Sequence, residues 1–162
     1  MADQDFTSLL TRMQQFAEDA YGLETWLGED NGFQMLKVGL VQLGNKGSGQ
    51  AVMEICPVPL QPNPDGEVQL LEFYTTVADH IREENMAPAL AALNRMNLRC
   101  PVGAFHLFEE QHQMYHKCGA VLPMGEAGTQ LATMVFSMVV ETVNQLFEDA
   151  MAIAADGNSV TE

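Results

Sequence analysis

Three of the four histidines and one of the three cysteines lie within residues 106–118, HLFEEQHQMYHKC. Imidazole and thiolate are ligands that zinc prefers, and a thiol beside a base is also the arrangement that nucleophilic catalysis uses. This segment is therefore the first place in the chain to look for chemistry. Both uses require the side chains to converge on one point, so the local backbone decides the matter.

The segment is predicted to be a β-hairpin, and its register decides whether the histidines converge. With an even number of loop residues, centred on Glu110 and Gln111, Phe105 lies opposite His116 and His106 faces away from both His116 and the neighbouring thiol. With an odd loop, His106 lies opposite His116 and a metal site can form. The even loop is favoured because it collects the apolar side chains on one face, and a slip of one residue would mix the two faces. The collected residues are Phe105, Leu107, Met114, Ala120 and Leu122.

Established motifs do not support a reaction or a metal site. The chain contains no Cys-x-x-Cys, His-Glu-x-x-His, Gly-x-Ser-x-Gly, P-loop or Gly-x-Gly-x-x-Gly pattern. Cys118 and His116 are two apart on a strand, so their side chains run parallel rather than forming an aligned pair. We therefore expect no catalytic residue, no bound metal and no cofactor. The alternative is a metal-dependent sensor or enzyme that uses the hairpin at 106–118.

The balance of charge excludes several classes of partner. The chain has 7 Lys and Arg against 22 Asp and Glu, a net charge of −15, and no Lys or Arg follows Lys117. Such a surface repels nucleic-acid phosphates and anionic membranes. The start, MADQDFTSLL, has no secretory signal pattern. The cysteines are odd in number and scattered, which favours reduced thiols and a cytoplasmic protein.

Hydrophobic periodicity predicts an α+β fold with the element order α-ββββ-α-ββ-α. Helices are expected over residues 5–21, 86–97 and 125–157, with Asn85 as the N-cap of the second. Strands are expected over 23–28, 33–43, 50–58, 67–78, 100–109 and 113–122. These strands should form one antiparallel sheet of about five to six strands with the helices packed against it. One domain is predicted for residues 1–155, with a disordered tail at 156–162.

Apolar helix faces and the eleven methionines suggest a surface that binds proteins. Methionine fills cores, and it is also frequent on adaptable binding surfaces because the thioether side chain repacks easily. The stripe on the last predicted helix is broad, and Phe136 and Val140 widen it. We expect a homodimer whose interface uses helical or sheet-edge apolar surface. The interface residues expected are Leu90, Leu93, Phe136 and Val140.

Two phrases carry a resemblance to a known family. Residues 89–97, ALAALNRMN, precede a hairpin whose second strand ends in AVLP at residues 120–123, and a long helix follows. This arrangement resembles the YbjN family of bacterial proteins, and the layout is similar to the type III secretion chaperone-like fold. The loop QPNPDG at residues 61–66 and the Met-rich last helix have no match in that family.

The resemblance implies a compact, dimeric α+β protein with a binding or regulatory role and without a catalytic site. Together with the composition, it predicts a non-catalytic protein-binding module from a bacterium, either a chaperone-like protein or a regulatory adaptor. Its partner would be a protein or a peptide. Fold similarity alone does not assign secretion-chaperone activity.

Overall fold

The structure is a computed structural model that describes residues 2–30, 32–58 and 67–157. Within those ranges three helices and six strands follow one another in the predicted order α-ββββ-α-ββ-α, which confirms the fold class. A short 3₁₀ turn at Glu109–Gln111 joins the last two strands. The elements are α1 Ala2–Tyr21, β1 Glu24–Asp30, β2 Phe33–Leu43, β3 Gly49–Val58, β4 Val68–Ala78, α2 Glu83–Asn97, β5 Ala104–Phe108, β6 Gln113–Pro123 and α3 Glu126–Asp156.

The strands form one antiparallel sheet in the order β1-β2-β3-β4-β6-β5. The first four strands are consecutive neighbours, each antiparallel to the next. The chain then passes through α2 and returns through the β5–β6 hairpin, with β6 beside β4. In the described part of the chain, β1 and β5 are therefore the outer strands of the sheet.

All three helices pack on one face of the sheet, which we call the helix face. A row of apolar side chains crosses four strands there, because Leu36, Ile55, Phe73 and Cys118 are successive cross-strand partners. Each of these residues is buried. The alternation of burial along β2 and β4 follows from the two-residue period of a strand. We call the opposite face, which no described helix covers, the open face.

Helix α1 packs against β1, β2 and α3 through residues at helical spacing. Leu9, Leu10, Met13 and Ala17 are buried, and they lie on one side of the helix as the sequence pattern predicts. Towards α3, the rings of Phe16 and Tyr21 contact the Phe136 ring edge to face, with centroids 6.0 and 5.6 Å apart. Phe136 therefore faces α1.

Helix α3 crosses the sheet from the end of β6 to the turn between β2 and β3. At its start Gly128 lies so close to β6 that a Cβ atom would be 1.8 Å from the Pro123 carbonyl oxygen. Near its middle, Asn144 Oδ1 accepts a hydrogen bond of 2.9 Å from the Gly44 N–H. Gly157 ends the helix with a φ of 70°, the left-handed conformation that favours glycine.

Two local predictions were wrong. Helix α2 begins at Glu83 with Arg82 as its N-cap, so Asn85 lies inside the first turn and its amide donates to the Ala155 carbonyl of α3. The strand predicted over residues 100–109 begins only at Ala104. The four preceding residues form no strand pairing, and the Val102 carbonyl accepts a hydrogen bond from the His116 ring of β6 instead.

Other predictions fall partly outside the described residues. Of the predicted tail at 156–162, Asp156 ends α3 and Gly157 caps it, whereas 158–162 lie outside the described residues. The loop at 61–66 lies outside them too. Among the described helices, none has the length and hydropathy that crossing a membrane requires.

Candidate functional site

The β5–β6 hairpin has the even register that the apolar pattern predicts. Phe105 pairs with His116 and Leu107 pairs with Met114. His106 consequently lies on the open face, stacked on the Tyr115 ring with centroids 5.4 Å apart. His116 lies on the helix face, so the two histidines do not converge. Among the described residues, no three side chains of His, Cys, Asp or Glu are arranged to hold a metal ion.

His116 is a buried, neutral histidine that holds the segment before β5 in place. Its Nε2–H donates to the Val102 carbonyl at 2.9 Å, and its ring packs edge to face on Phe105. Burial lowers the pKa of His116, although the hydrogen bond to Val102 opposes the shift. Among the described residues, Nδ1 has no hydrogen-bond partner, and neither has the hydroxyl of its cross-strand neighbour Thr75.

The cysteines are free thiols in surroundings that keep them protonated. Burial, with a smaller effect from Cys118, raises the pKa of Cys100 to about 11. Burial also raises the pKa of Cys118. Because the thiolate is the nucleophile, a raised pKa makes a thiol less reactive at neutral pH. The hairpin therefore offers neither a converging ligand set nor an activated nucleophile.

An apolar strip remains exposed on the first half of α3. Leu131 and Asp149 lie on the same side of the helix, since they are about five full turns apart, and Asp149 forms an ion pair with Arg99 just after α2. This side therefore faces α2, opposite the side on which Phe136 faces α1. We define the α3 strip as the residues on this side before α2 begins to cover the helix. They are Leu131, Met134, Val135 and Met138, of which Met134 is 60% exposed.

The α3 strip is exposed because α2 is anchored to the other half of the helix. Asn85 and Arg82 both donate to the Ala155 carbonyl, and Arg99 pairs with Asp149. These contacts hold α2 against the C-terminal third of α3. The first half of α3 therefore lies over β4 and β6 with its α2-facing flank open to solvent.

Beside this strip, the edge of β6 is unpaired. Strand β5 pairs with β6 only as far as Lys117, although β6 continues to Pro123, and no other described strand lies on that side. Strand β4 pairs with the opposite side of β6 from Met114 to Pro123. Residues 118–123 are consequently an open edge of the sheet, directly below the flank of α3 that carries the strip.

The hydrogen bonds of Asn97 show which backbone groups of β6 point outward at this edge. The Asn97 amide donates to the Phe105 carbonyl and accepts from the Phe105 N–H, at 2.9 and 2.8 Å. Phe105 thus points its backbone groups away from β6, and its partner His116 points its own towards β4. Because this direction alternates along a strand, Gly119 and Val121 point their N–H and C=O groups outward at the free edge. We call Gly119, Val121 and the α3 strip together the edge site.

The four interface residues expected from the sequence are not gathered at one place. Leu90 is 48% exposed on α2, whereas Leu93 and Phe136 are each 1% exposed and belong to the core. Val140 is partly buried against that core. Sequence reasoning did not single out the exposed strip, because the periodicity of α3 marks a wide apolar arc without showing which part is covered.

No protein-family model matches this chain, and no curated protein matches it in sequence. These comparisons therefore do not bear on the resemblance to the YbjN family. The geometry of the edge site and of the sheet is the basis for a function.

Proposed function

We propose that the protein is a non-catalytic protein-binding module, a chaperone-like protein or regulatory adaptor that holds an extended segment of a partner protein at the edge site. The single observation that carries this proposal is the unpaired edge of β6 beside an exposed, methionine-rich helix flank. A bound segment would add a strand to the sheet there. Strand addition supplies affinity through backbone hydrogen bonds and specificity through alternate side chains.

The backbone groups of the edge are suited to this role. Gly119 and Val121 each present one N–H and one C=O outward, which allows a short antiparallel or parallel strand to bind. Every second side chain of that strand would point to the helix face, towards Val135, Leu131 and Met138. The long thioether side chains adapt to different apolar partners, which suits a protein that receives more than one sequence.

Charge indicates the composition of the bound segment. The chain has a net charge of −15, and every charged residue after Lys117 is acidic. Glu141 is exposed one turn beyond Met138 on α3. An acidic surface attracts cationic partners and accelerates their association at low salt. We therefore propose an extended partner segment that alternates apolar residues with Lys or Arg.

We further propose that the protein is a cytoplasmic homodimer from a bacterium. The free thiols at positions 56, 100 and 118 support a reducing compartment. The resemblance to the YbjN family and to secretion-chaperone-like proteins supports the dimer and the binding role. The alternative, an enzyme or a metal sensor that uses residues 106–118, is less favoured because His106 and His116 occupy opposite faces of the hairpin.

The test uses variants that block the edge or the strip without touching the core. In Gly119→Pro the substituted residue loses an N–H that points outward and is not needed for pairing with β4, and a Cβ there meets only Leu70 at 3.7 Å. Met138→Glu places a charge in the strip. The matched control is Met151→Glu, since Met151 is a partly exposed methionine on another side of the same helix.

Tagged wild type and variants are used to recover partners from the organism's own lysate, and each recovered partner is then purified and its binding measured directly. We expect Gly119→Pro and Met138→Glu to weaken binding at least tenfold, and Met151→Glu to leave it unchanged. Partners that bind all four proteins equally, or a wild type that binds none, would overturn the proposal. Thermal melting of each variant shows that folding is retained.

A further inference from the structure

The open face of the sheet is unusually apolar for a surface in contact with water. When one face of an antiparallel sheet is solvated, it normally carries polar side chains. Here the large side chains that are more than a third exposed on the open face include Trp26, Phe33, Val41, Val52, Phe108 and Val121. The face lies opposite the helix face, so none of these residues contacts a described helix. Extended exposed apolar patches of this kind are typical of interaction surfaces.

Both lysines of the open face are already paired with glutamates. Trp26, Lys37, Glu54, Tyr74 and Lys117 form one continuous row of cross-strand partners from β1 to β6. Lys37 pairs with Glu54 at 3.0 Å and Lys117 pairs with Glu72 at 2.9 Å. Each ammonium also lies over an aromatic ring of the same row. The lysines therefore need no outside partner.

This pairing makes the open face nearly neutral in a strongly acidic molecule. Strand register places Lys37 and Lys117 on this face against Glu24, Asp30, Glu54 and Glu72, so the face adds two negative charges to a chain of net charge −15. Like-charge repulsion opposes contact between two copies almost everywhere else. The open face is the broad apolar surface of the described chain on which this repulsion is smallest.

The dimensions of the face match those of a stable dimer contact. Strands lie about 4.8 Å apart and rise about 3.3 Å per residue, so six strands of up to 11 residues span roughly 24 Å by up to roughly 35 Å. The resulting area is on the order of 700 Å², close to the roughly 800 Å² per partner of a standard interface. A single bound peptide would leave most of this area exposed.

We infer that a second copy of this chain docks on the open face, in a two-fold symmetric contact of sheet on sheet. This inference deepens the homodimer proposed above and rests on it. It uses the side chains of the open face, whereas the edge site uses the outward backbone groups of Gly119 and Val121 and the α3 strip. In such a contact the same patch meets itself. The two sheets would pack about 10 Å apart with their strands at about −30° and their apolar side chains interdigitated.

A peptide or a basic partner fits the open face less well than a second copy. A basic segment would be attracted to the acidic surfaces elsewhere, because the two lysines of this face already neutralise Glu54 and Glu72. An extended peptide gains most at a strand edge, and the open face presents side chains rather than free backbone groups. A broad, flat and neutral surface is suited to another surface of the same kind.

The test compares two opposite charges at the centre of the face. Val52 lies on β3, is 49% exposed, and can be replaced by Glu or by Lys without opening the core. If apolar contact holds the dimer, both Val52→Glu and Val52→Lys should raise its dissociation constant at least tenfold. The matched control is Leu90→Glu, which alters a residue of similar exposure, 48%, on the helix side. Mass is measured by light scattering and sedimentation equilibrium over a concentration series.

The outcomes separate this inference from the proposals on which it rests. A wild-type dimer that both Val52 variants weaken, and that Leu90→Glu does not, supports the open face. A dimer lost in Leu90→Glu or Met138→Glu but kept in both Val52 variants overturns the open face and leaves the homodimer standing. A wild type that is monomeric at every concentration overturns both. Tighter association in Val52→Lys would show that charge rather than apolar contact governs the interface.

Folding of the variants is checked by thermal melting of the monomer. Should either Val52 variant fail to fold, Val41→Glu replaces it, because Val41 is a second exposed apolar residue on the same face. The same tenfold loss is expected, and an unchanged dissociation constant would count against the inference. Partner binding at the edge site should be unaffected by any of these open-face variants.

Discussion

At the scale of single residues, Asn97 covers part of the outer edge of β5. Its side-chain amide makes two hydrogen bonds with the backbone of Phe105, in the way that a neighbouring strand would. Unpaired edges invite pairing with other chains, and proteins often cover them. Asn97 therefore covers the outer edge of β5 at Phe105, while the edge of β6 at residues 118–123 stays open.

Replacement of Asn97 should be costly because two backbone groups lose their partners at once. We expect Asn97→Ala to lower the free energy of unfolding by about 1–3 kcal/mol. Asn94→Ala is the control, since Asn94 is exposed on the same helix, and a surface substitution there should change stability by less than about 0.5 kcal/mol. Urea unfolding measures both. Equal effects of the two substitutions would show that the Phe105 hydrogen bonds contribute little.

His116 makes the stability depend on pH in a predictable direction. Burial lowers its pKa in the folded chain below the ordinary histidine value of about 6.5. As the pH falls below about 6.5, the unfolded chain takes up a proton that the folded chain refuses, so stability decreases towards acid. The loss continues until the pH reaches the lower pKa of the folded chain. Above about pH 6.5, His116 does not make the free energy of unfolding depend on pH.

We expect His116→Phe to flatten the fall in unfolding free energy between about pH 6.5 and pH 5. His80→Asn is the control, since His80 is exposed and its left-handed backbone, with φ of 59°, suits Asn. Urea unfolding at a series of pH values gives the slope. An unchanged slope in His116→Phe would mean that other groups cause the acid sensitivity.

At the scale of elements, the close approach of α3 to the end of β6 depends on Gly128. A Cβ there would be 1.8 Å from the Pro123 carbonyl oxygen, which belongs to the backbone and cannot rotate away. The start of α3 would have to shift, and the α3 strip would move relative to the edge of β6. Helix placement and the edge site are thus coupled through one glycine.

We expect Gly128→Ala to destabilise the fold by about 1–3 kcal/mol, as overpacking does, even though alanine favours helices. Gln130→Ala, at an exposed position two residues later, should be neutral or slightly stabilising. Denaturant unfolding distinguishes them. A stabilised Gly128→Ala variant would mean that helix propensity outweighs the steric conflict.

At the scale of the whole molecule, the balance between apolar contact and net charge should control dimerisation. If about half of a standard interface of roughly 800 Å² per partner is apolar, its burial on the two partners together contributes on the order of 20 kcal/mol before association costs. Repulsion between two chains of charge −15 opposes it. Salt screens that repulsion over distances beyond the Debye length.

We therefore expect the dimer to become tighter as salt is added. The relevant range is from about 0.01 M to about 1 M, over which the Debye length falls from about 30 Å to about 3 Å. Light scattering at fixed protein concentration follows the dimer fraction across this series. A dimer that weakens with salt would indicate that attractive charge pairs between the subunits, rather than apolar contact, hold it together.

The sequence by itself determined the order of elements, the hairpin register and the extent of the last helix. The register could be predicted because Phe105, Leu107 and Met114 can share one buried face in only one alignment, and a slip would exchange the faces. The end of α3 could be predicted from Gly157, which is suited to a left-handed cap. These features depend on local spacing and on residue type alone.

Tertiary structure decided which part of each apolar surface is covered. The periodicity of α3 marks an arc wide enough to include both Phe136 and Met134, yet α1 covers one flank and α2 stops short of the other. Asn85 could cap a helix locally, but the Ala155 carbonyl of α3 lies within its reach, so it bonds there instead. The edge site was not predictable for the same reason. Whether a strand edge or a helix flank is free depends on how far its neighbours extend in space, and sequence spacing does not contain that distance.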